Sequence, residues 1–339
     1  MLRSAIILLL LATVQFSLAA DWPHWRGEAR NGVVAEPSGW DGKNWIKGEL
    51  WRRSVGEGSA TPLVVGDRVF LTGWNGNQDS VICVSADTGQ EIWKQTYSSP
   101  KYGRFALGDQ GFYSGACATP EYDSDSKLLF TLSIDGDLNA WDTTTEGRRK
   151  WSLNIYDRYG AKQRPEVAKR RRTRRDYGYT TSPLVIKNQV IVEVGGNKGN
   201  LVAFDKNTGK ELWTSANRDE AGHTGGPVPM TVQGVSCVAV LTLRNLVVSR
   251  IDGSRAGQTV ATFPWTTDFG NNIPTPAVFG DSVIVTSSYN HKSMCRVRVT
   301  LRGATKVWEN IEIQSAVCSP VIHEGRIYWA WRGVHCADF

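Results

Sequence analysis

Cysteines and histidines are the residues of this sequence most able to form a metal or redox site, but their spacing favours neither kind of site. The six cysteines are Cys83, Cys117, Cys237, Cys295, Cys318 and Cys336. No two of them have the C-x-x-C spacing of zinc knuckles or thioredoxin-like motifs. The five histidines show no metal-ligand spacing. We therefore predict no metal site, and we interpret most of the cysteines as small buried residues in strands.

Two aspartate pairs resemble calcium loops, at Asp123–Asp125 and Asp135–Asp137. Neither pair is followed by a glutamate at the twelfth loop position, and aspartate is common in tight turns, so we interpret both segments as turns. The sequence also lacks a nucleophile elbow, a phosphate-binding glycine loop and a helix-borne histidine pair. We therefore predict no catalytic residues.

Positive charge is concentrated in residues 157–176, where nine basic residues outnumber three acidic ones. Their net charge of +6 equals the formal charge of the whole chain. The candidate binding residues are six members of this cluster and one arginine from earlier in the chain. The six are Lys169, Arg170, Arg171, Arg172, Arg174 and Arg175, and the seventh residue is Arg104. Such a cluster suits a protein or anionic ligand, or it is a solvated loop whose arginines pair with nearby carboxylates. Nucleic acid is not an expected partner, because the chain begins with an export signal.

The first twenty residues have the features of a secretory signal peptide. A single charge at Arg3 precedes the apolar run Ala5–Ala12, and small residues precede Asp21. The run is shorter than the roughly 20 apolar residues that a membrane span needs. We predict removal of residues 1–20 and a periplasmic or secreted mature chain, residues 21–339, without a membrane span.

A small residue, a proline and a short apolar strand recur six times along the chain. The prolines are Pro62, Pro120, Pro183, Pro227, Pro276 and Pro320. Their separations of 44 to 63 residues fit one β-propeller blade each, with insertions in two units. Within the units, turn residues lead into alternating strands, and a further strand ends in tryptophan. An all-β propeller of four-stranded blades is therefore predicted.

The blades are placed near residues 59–96, 115–154, 178–216, 222–265 and 271–310, with an incomplete sixth near 315–339 and a basic insertion at 155–177. The chain ends inside a blade turn, just after Asp338. We expect about six visible blades, and seven or eight if the sequence is a fragment of a longer propeller. The alternative to a fragment is that an N-terminal strand completes a shortened last blade.

Tryptophans recur at the ends of the blades and are interpreted as docking residues between neighbouring blades, in preference to a ligand-stacking row. They are Trp51, Trp93, Trp151, Trp213, Trp265 and Trp308. Because Trp51 precedes the first blade, we predict that its strand closes the last blade around the ring. The residues just before the innermost strands are expected to rim the central channel: Ser59, Cys117, Thr181 and Cys318.

The blade ends resemble the pyrroloquinoline-quinone-like (PQQ-like) propeller repeat, whose signature is Ala-x-Asp-x-x-Thr-Gly-x-x-x-Trp. The clearest copies are Ala203–Trp213 and Ala86–Trp93. The opening segments Trp22–Gly27 and Arg30–Val33 resemble those of secreted propellers of this type from planctomycete-like bacteria. The family includes quinoprotein alcohol dehydrogenases and the propeller of the outer-membrane protein assembly machinery. The resemblance therefore implies the fold far more specifically than the function.

Three functions remain open. The resemblance to the dehydrogenases implies pyrroloquinoline quinone and calcium at the channel mouth, yet their vicinal cysteine pair and the C-x-x-C-H haem motif are absent from the sequence. Our first hypothesis is a non-catalytic platform, without a cofactor, that binds a protein or an anionic ligand at its loop-rich face. A quinoprotein oxidoreductase is the alternative, and cell-wall or polysaccharide binding is a third.

Overall fold

The computed structural model describes residues 20–43, 48–100, 115–161, 178–267 and 270–339. These residues form 23 β-strands in six antiparallel sheets, five with four strands and one with three. The sheets follow one another along the chain, and each is built from consecutive strands. This is the all-β propeller architecture that the repeat predicts, with one sheet per blade.

The first two blades are β1 (Leu63–Val65), β2 (Arg68–Asn75), β3 (Gln78–Ser85) and β4 (Glu91–Ser98), then β5 (Glu121–Asp123), β6 (Leu128–Leu132), β7 (Asp137–Asp142) and β8 (Arg148–Asn154). The short helix α1 (Ile155–Tyr159) follows. Blades 3 and 4 are β9 (Leu184–Ile186), β10 (Gln189–Glu193), β11 (Leu201–Asp205) and β12 (Glu211–Thr214), then β13 (Val228–Val232), β14 (Val235–Leu241), β15 (Asn245–Arg250) and β16 (Thr259–Pro264). Blades 5 and 6 are β17 (Ala277–Phe279), β18 (Ser282–Ser288), β19 (Lys292–Thr300) and β20 (Gly303–Asn310), then β21 (Val321–His323), β22 (Arg326–Ala330) and β23 (Val334–Asp338).

Local sequence explains the tight turns that set the strand register. The hairpin between β2 and β3 turns at Gly76 and Asn77, which have φ of 57° and 64°. Two consecutive positive φ angles match the right-handed twist of the paired strands. In the repeat signature of blade 3, the Asp205 carboxylate accepts hydrogen bonds from the backbone and hydroxyl of Thr208 (2.9 Å each), and Gly209 follows with φ of 70°. The Asp-x-x-Thr-Gly motif is thus a self-capped turn.

The apolar core lies between consecutive blades, and a tryptophan from the outer part of one blade joins each cluster. Trp93, Trp151, Trp213, Trp265 and Trp308 lie in the clusters between blades 1 and 2, 2 and 3, 3 and 4, 4 and 5, and 5 and 6 respectively. The Trp151 ring illustrates the contact. Its Nε1 donates to the Lys206 carbonyl at 2.9 Å, and a Cβ on Gly209 would lie 2.8 Å from the ring.

Trp51 makes the same contact with the first blade. Its Nε1 donates to the Ala86 carbonyl at 2.7 Å, and its ring lies over Gly89. In the described part of the chain, however, β23 pairs only with β22. The expected closure of the last blade by the Trp51 strand is therefore not formed here, although the tryptophan docks where a preceding blade would place it.

None of the helices in the described ranges has the length and hydropathy of a membrane span. The predicted signal peptide falls, apart from its last residue, on residues 1–19, outside the described residues.

Candidate functional site

A cavity of about 710 Å³ occupies the centre of the ring of blades. The residue three positions before each blade proline lines it, and the six are Ser59, Cys117, Thr180, Thr224, Ile273 and Val317. The six blades repeat one backbone path around the axis, so equivalent positions meet at the channel. A cavity of this size lies within the range of small-molecule binding sites.

A second ring comes from the residue directly before the proline, where Thr119, Ser182, Thr275 and Ser319 line the same cavity. Several of these hydroxyls link neighbouring blades. Thr119 Oγ1 accepts from the Thr61 N–H at 3.1 Å, and Ser319 Oγ accepts from the Thr275 N–H at 2.9 Å. Thr275 Oγ1 in turn accepts from the Gly225 N–H at 2.8 Å. These bonds connect the segments that lead into innermost strands of different blades, which share no ladder with one another.

We expect Ser319→Ala to lower the free energy of unfolding by about 1–2 kcal/mol, because it leaves the buried Thr275 N–H without its acceptor. Chemical denaturation at neutral pH measures the change. Ser254→Ala, at an exposed position of a 3-10 helix, is the control and is expected to stay within about 0.5 kcal/mol of the parent. Equal effects of the two substitutions would contradict a linking role.

The N-terminal segment 22–30 lies across one end of this channel. Trp22 and Val64 exchange backbone hydrogen bonds of 2.7 and 3.1 Å, which ties the segment to blade 1. Arg30 forms a two-pronged ion pair with Glu121 of blade 2. Arg26 donates to the Pro320 carbonyl of blade 6. Trp25 and Arg26 therefore become part of the cavity lining.

Gly225 lets the Trp25 ring approach the channel wall. A Cβ at this position would overlap Trp25 Nε1 and would lie 2.8 Å from Thr275 Oγ1. The conflict is with an indole ring and an anchored hydroxyl, neither of which can swing away easily. A residue without a side chain is therefore required here.

Arg26 is the only arginine or lysine in the described lining of the cavity. Its side chain is 7% exposed, and burial lowers the pKa of Arg26 to about 10, so it remains cationic at neutral pH. Its Nη2 donates to the carbonyls of Pro320 and of Asn31, the latter at 2.9 Å. The described lining contains no aspartate or glutamate. Arg26 also borders a second cavity of about 260 Å³, whose lining includes Arg30 and Glu324.

His24, next to these residues, makes the N-terminal segment sensitive to acid. Burial and the nearby Arg30 charge lower the pKa of His24 to about 3, so the imidazole stays neutral in the folded protein. Below pH 6.5 the unfolded chain binds a proton at this site that the folded chain does not bind, so stability falls as the pH falls. The expected loss from His24 between pH 7 and pH 4.5 is about 2.5 kcal/mol.

Urea denaturation of the parent and of His24→Gln at the two pH values measures this contribution, since the substitution removes the titrating group. We expect the pH dependence to shrink by roughly that amount in His24→Gln. Ser254→Ala, at an exposed position without a titrating side chain, is the control and should keep the pH dependence of the parent. An unchanged pH dependence in His24→Gln would show that His24 does not govern it.

The channel rim is largely as the sequence predicts. Ser59, Cys117 and Cys318 line the cavity. Thr181 is the exception, since it is 1% exposed and is not among the lining residues, while Thr180 and Ser182 on either side line the cavity. Alternation along the strand does not explain the difference, since Cys318 also stands two positions before its proline and does line the cavity. All six residues three positions before a blade proline line it, so counting back from Pro183 could have identified Thr180.

Other predicted binding residues cannot be placed. Arg104 and the cluster Lys169, Arg170, Arg171, Arg172, Arg174 and Arg175 lie outside the described residues. Conversely, the sequence motifs give no role to five residues that line the cavity, namely Trp25, Arg26, His223, Asn271 and Tyr289. Only the opening segment that contains Trp25 and Arg26 carried a signal, as part of the family resemblance.

The cavity lining does not match the quinone and calcium that the dehydrogenase resemblance implies. Calcium takes oxygen ligands, mainly carboxylates. The described lining offers hydroxyl and amide oxygens but no carboxylate. Within the described ranges, no three histidine, cysteine, aspartate or glutamate side chains are grouped so that they could hold a metal ion. The quinone carries several carboxylates, whereas the described lining offers one arginine.

Six repeated sheets around a channel, with the Asp-x-x-Thr-Gly turn and the docking tryptophans, define a PQQ-like propeller. The profile of the family described as outer membrane protein assembly factor BamB matches residues 47–154 and 78–338. The chain therefore belongs to this family.

Two curated relatives match about half of the chain. BamB of Burkholderia pseudomallei is 26% identical over 173 residues, which are 50% of this chain and 34% of the relative. Quinohemoprotein alcohol dehydrogenase ADH-IIG of Pseudomonas putida is 28% identical over 161 residues, which are 45% of this chain and 19% of the relative. The matches thus span about a third and a fifth of these relatives.

Two solved structures resemble the chain over most of its length. BamB from Moraxella catarrhalis has a TM-score of 0.48 at 13% identity, and the match covers 84% of this chain and 85% of the BamB chain. A europium-containing methanol dehydrogenase has the same TM-score and identity, and the match covers 91% of this chain and 81% of the dehydrogenase chain.

Proposed function

We propose that this protein works outside the cytoplasm as a non-catalytic propeller that binds a ligand or a protein partner at its central cavity. The observation that carries the proposal is the convergence of two rings of small polar and apolar side chains on one cavity of about 710 Å³. The described lining has the size and mixed character of a binding site.

Two further observations support the proposal. The chain belongs to a family described as outer membrane protein assembly factor BamB, a description that names assembly. The sequence also predicts an export signal, which agrees with a site of action outside the cytoplasm. The basic cluster at residues 169–175 remains a predicted contact for an acidic partner.

A quinoprotein oxidoreductase is the second candidate, favoured by the similarity to a quinohemoprotein alcohol dehydrogenase. It would require pyrroloquinoline quinone and a metal ion in the channel. Since the described lining supplies neither carboxylates nor a second cation, we place this candidate behind the binding function.

Calorimetric titration of the full chain with pyrroloquinoline quinone, with and without calcium, separates the two candidates. A dye-linked alcohol oxidation assay is run on the same sample, whose fold is checked by circular dichroism. We expect neither calcium-dependent binding nor turnover. Micromolar calcium-dependent binding together with dye reduction would overturn the proposal and make the protein an oxidoreductase.

A further inference from the structure

Arg26 differs from two other cations, Arg30 and Lys206, because it has no carboxylate partner among the described residues. Arg30 is paired with Glu121, and Lys206 lies 2.7 Å from the Asp123 carboxylate. No ion pair to Arg26 is found among the described residues, although its side chain is more than nine-tenths buried. A buried charge is costly when it is left without a counter-charge.

The hydrogen bonds of Arg26 leave part of its guanidinium unused. Both recorded bonds, to the carbonyls of Asn31 and Pro320, come from Nη2. No bond from Nε or Nη1 is recorded within the described chain. The guanidinium has five N–H groups in a planar fork, and that geometry suits a two-oxygen anion. Arg26 can therefore hold the segment to blade 6 and still bind an anion in the cavity.

The second ring supplies uncharged donors to the same cavity. The hydroxyls of Thr119, Thr275 and Ser319 accept backbone N–H bonds, and none of them donates a bond to another described residue. Each hydroxyl therefore has its own hydrogen available for an acceptor. Because their oxygens are anchored, these donors are held in place before any ligand arrives.

We infer that the central cavity binds the oxyanion group of a small ligand, a carboxylate or a phosphate, with the Arg26 guanidinium as counter-charge and the anchored hydroxyls as further donors. This inference rests on the proposed function and specifies its ligand class. Arg26 is the only arginine or lysine of the described lining, so it balances one negative charge. Trp25, Ile273 and Val317 would contact an uncharged, partly apolar remainder of the ligand.

The smaller cavity beside Arg26 suits an anion less well. It is bordered by the Glu324 carboxylate, which would repel a second negative charge, and by Arg30, whose charge is already paired with Glu121. The proposed anion site is therefore the larger cavity.

Two exposed cysteines allow a direct test without a substitution. Cys318 lines the cavity, whereas Cys336 lies on β23 and is not among the lining residues. We would measure the modification rates of both thiols with a sulfonate-bearing and a trimethylammonium-bearing methanethiosulfonate reagent, with mass spectrometry to assign each site. Comparing two reagents at one cysteine cancels the intrinsic reactivity of that thiol.

We expect the ratio of anionic to cationic reagent rates to be about tenfold higher at Cys318 than at Cys336, because a cleft focuses the field of its charge. The preference should be lost in Arg26→Gln and kept in Arg26→Lys. Arg52→Gln, at an exposed residue, is the control and should change nothing. If Arg26→Gln does not fold, the comparison of the two thiols in the parent protein still tests whether the cavity favours an anion.

Inorganic phosphate and acetate, each added at constant ionic strength against chloride, identify the oxyanion. Slower labelling of Cys318 by neutral N-ethylmaleimide, with Cys336 unaffected, is the expected result for one of them. Protection by phosphate alone indicates a phosphate ester, and protection by acetate alone indicates a carboxylate. Protection by neither, or equal reagent ratios at the two thiols, would overturn the inference.

The failure of the proposed function would look different. If Cys318 reacted with neither charged reagent nor N-ethylmaleimide while Cys336 reacted normally, the cavity would be closed and both proposals would fail. If Cys318 reacted readily but without a charge preference, the cavity would remain a candidate binding site and only the anion inference would be wrong.

Discussion

Replacing Glu121 with alanine is expected to lower the free energy of unfolding by about 3–5 kcal/mol. The Glu121 carboxylate is fully buried, accepts both prongs of the Arg30 guanidinium, and accepts the Val185 N–H at 2.9 Å. It therefore joins the N-terminal segment to blades 2 and 3. Its removal leaves the Arg30 charge and a backbone N–H without their acceptor.

Burial raises the pKa of Glu121 even though the Arg30 charge opposes the shift, so the pair costs desolvation energy as well as supplying attraction. For this reason the double variant Arg30→Met/Glu121→Leu should be more stable than Glu121→Ala. Urea denaturation provides all the values. Glu49→Ala removes an exposed partner of Arg52 and should cost less than about 1 kcal/mol. A small effect at Glu121, comparable to that at Glu49, would refute the proposed role of the pair.

Replacing Trp265 with alanine is the second large change, again with an expected loss of about 3–5 kcal/mol. The Trp265 side chain is 1% exposed, joins the cluster between blades 4 and 5, and stacks on His291 with ring centroids 4.0 Å apart. The substitution would leave a cavity where two blades meet, and stiff neighbouring strands can close it only in part.

Thermal and urea denaturation of Trp265→Ala give the loss, and Trp40→Ala is the matched control because the Trp40 side chain is 58% exposed. We expect the control to stay within about 0.5 kcal/mol of the parent. A comparable loss in both variants would show that the blade-end position of Trp265 has no special importance.

Local pattern was sufficient to predict the blades. The small-residue and proline repeat, the Asp-x-x-Thr-Gly turns and the blade-end tryptophans act over a few residues, so they can be recognised without the fold. Five of the six tryptophans lie between two described blades for that reason. The pairing of the Trp51 strand with the last blade depends on contacts between distant parts of the chain, and it is not formed here.

The cavity could be predicted only in part. Repeat spacing brings equivalent residues to the channel, but the backbone of each blade decides which of them face it: Thr181 does not line the cavity, whereas Cys318, at the same distance from its proline, does. The sequence placed the candidate binding residues in the basic cluster, which lies outside the described residues. It gave no sign that Arg26 would be buried beside the channel with no carboxylate partner in the described part of the chain.

The sequence by itself therefore determined the repeat, the turns, the docking tryptophans and the propeller class, because each is encoded by residues close together in the chain. Only the tertiary structure decided that the N-terminal segment lies across the channel, that Arg30 meets Glu121 across 91 positions, and that Trp25 and Arg26 complete the cavity. The physical reason is that these contacts join segments far apart in sequence, and their geometry exists only once the ring of blades has formed.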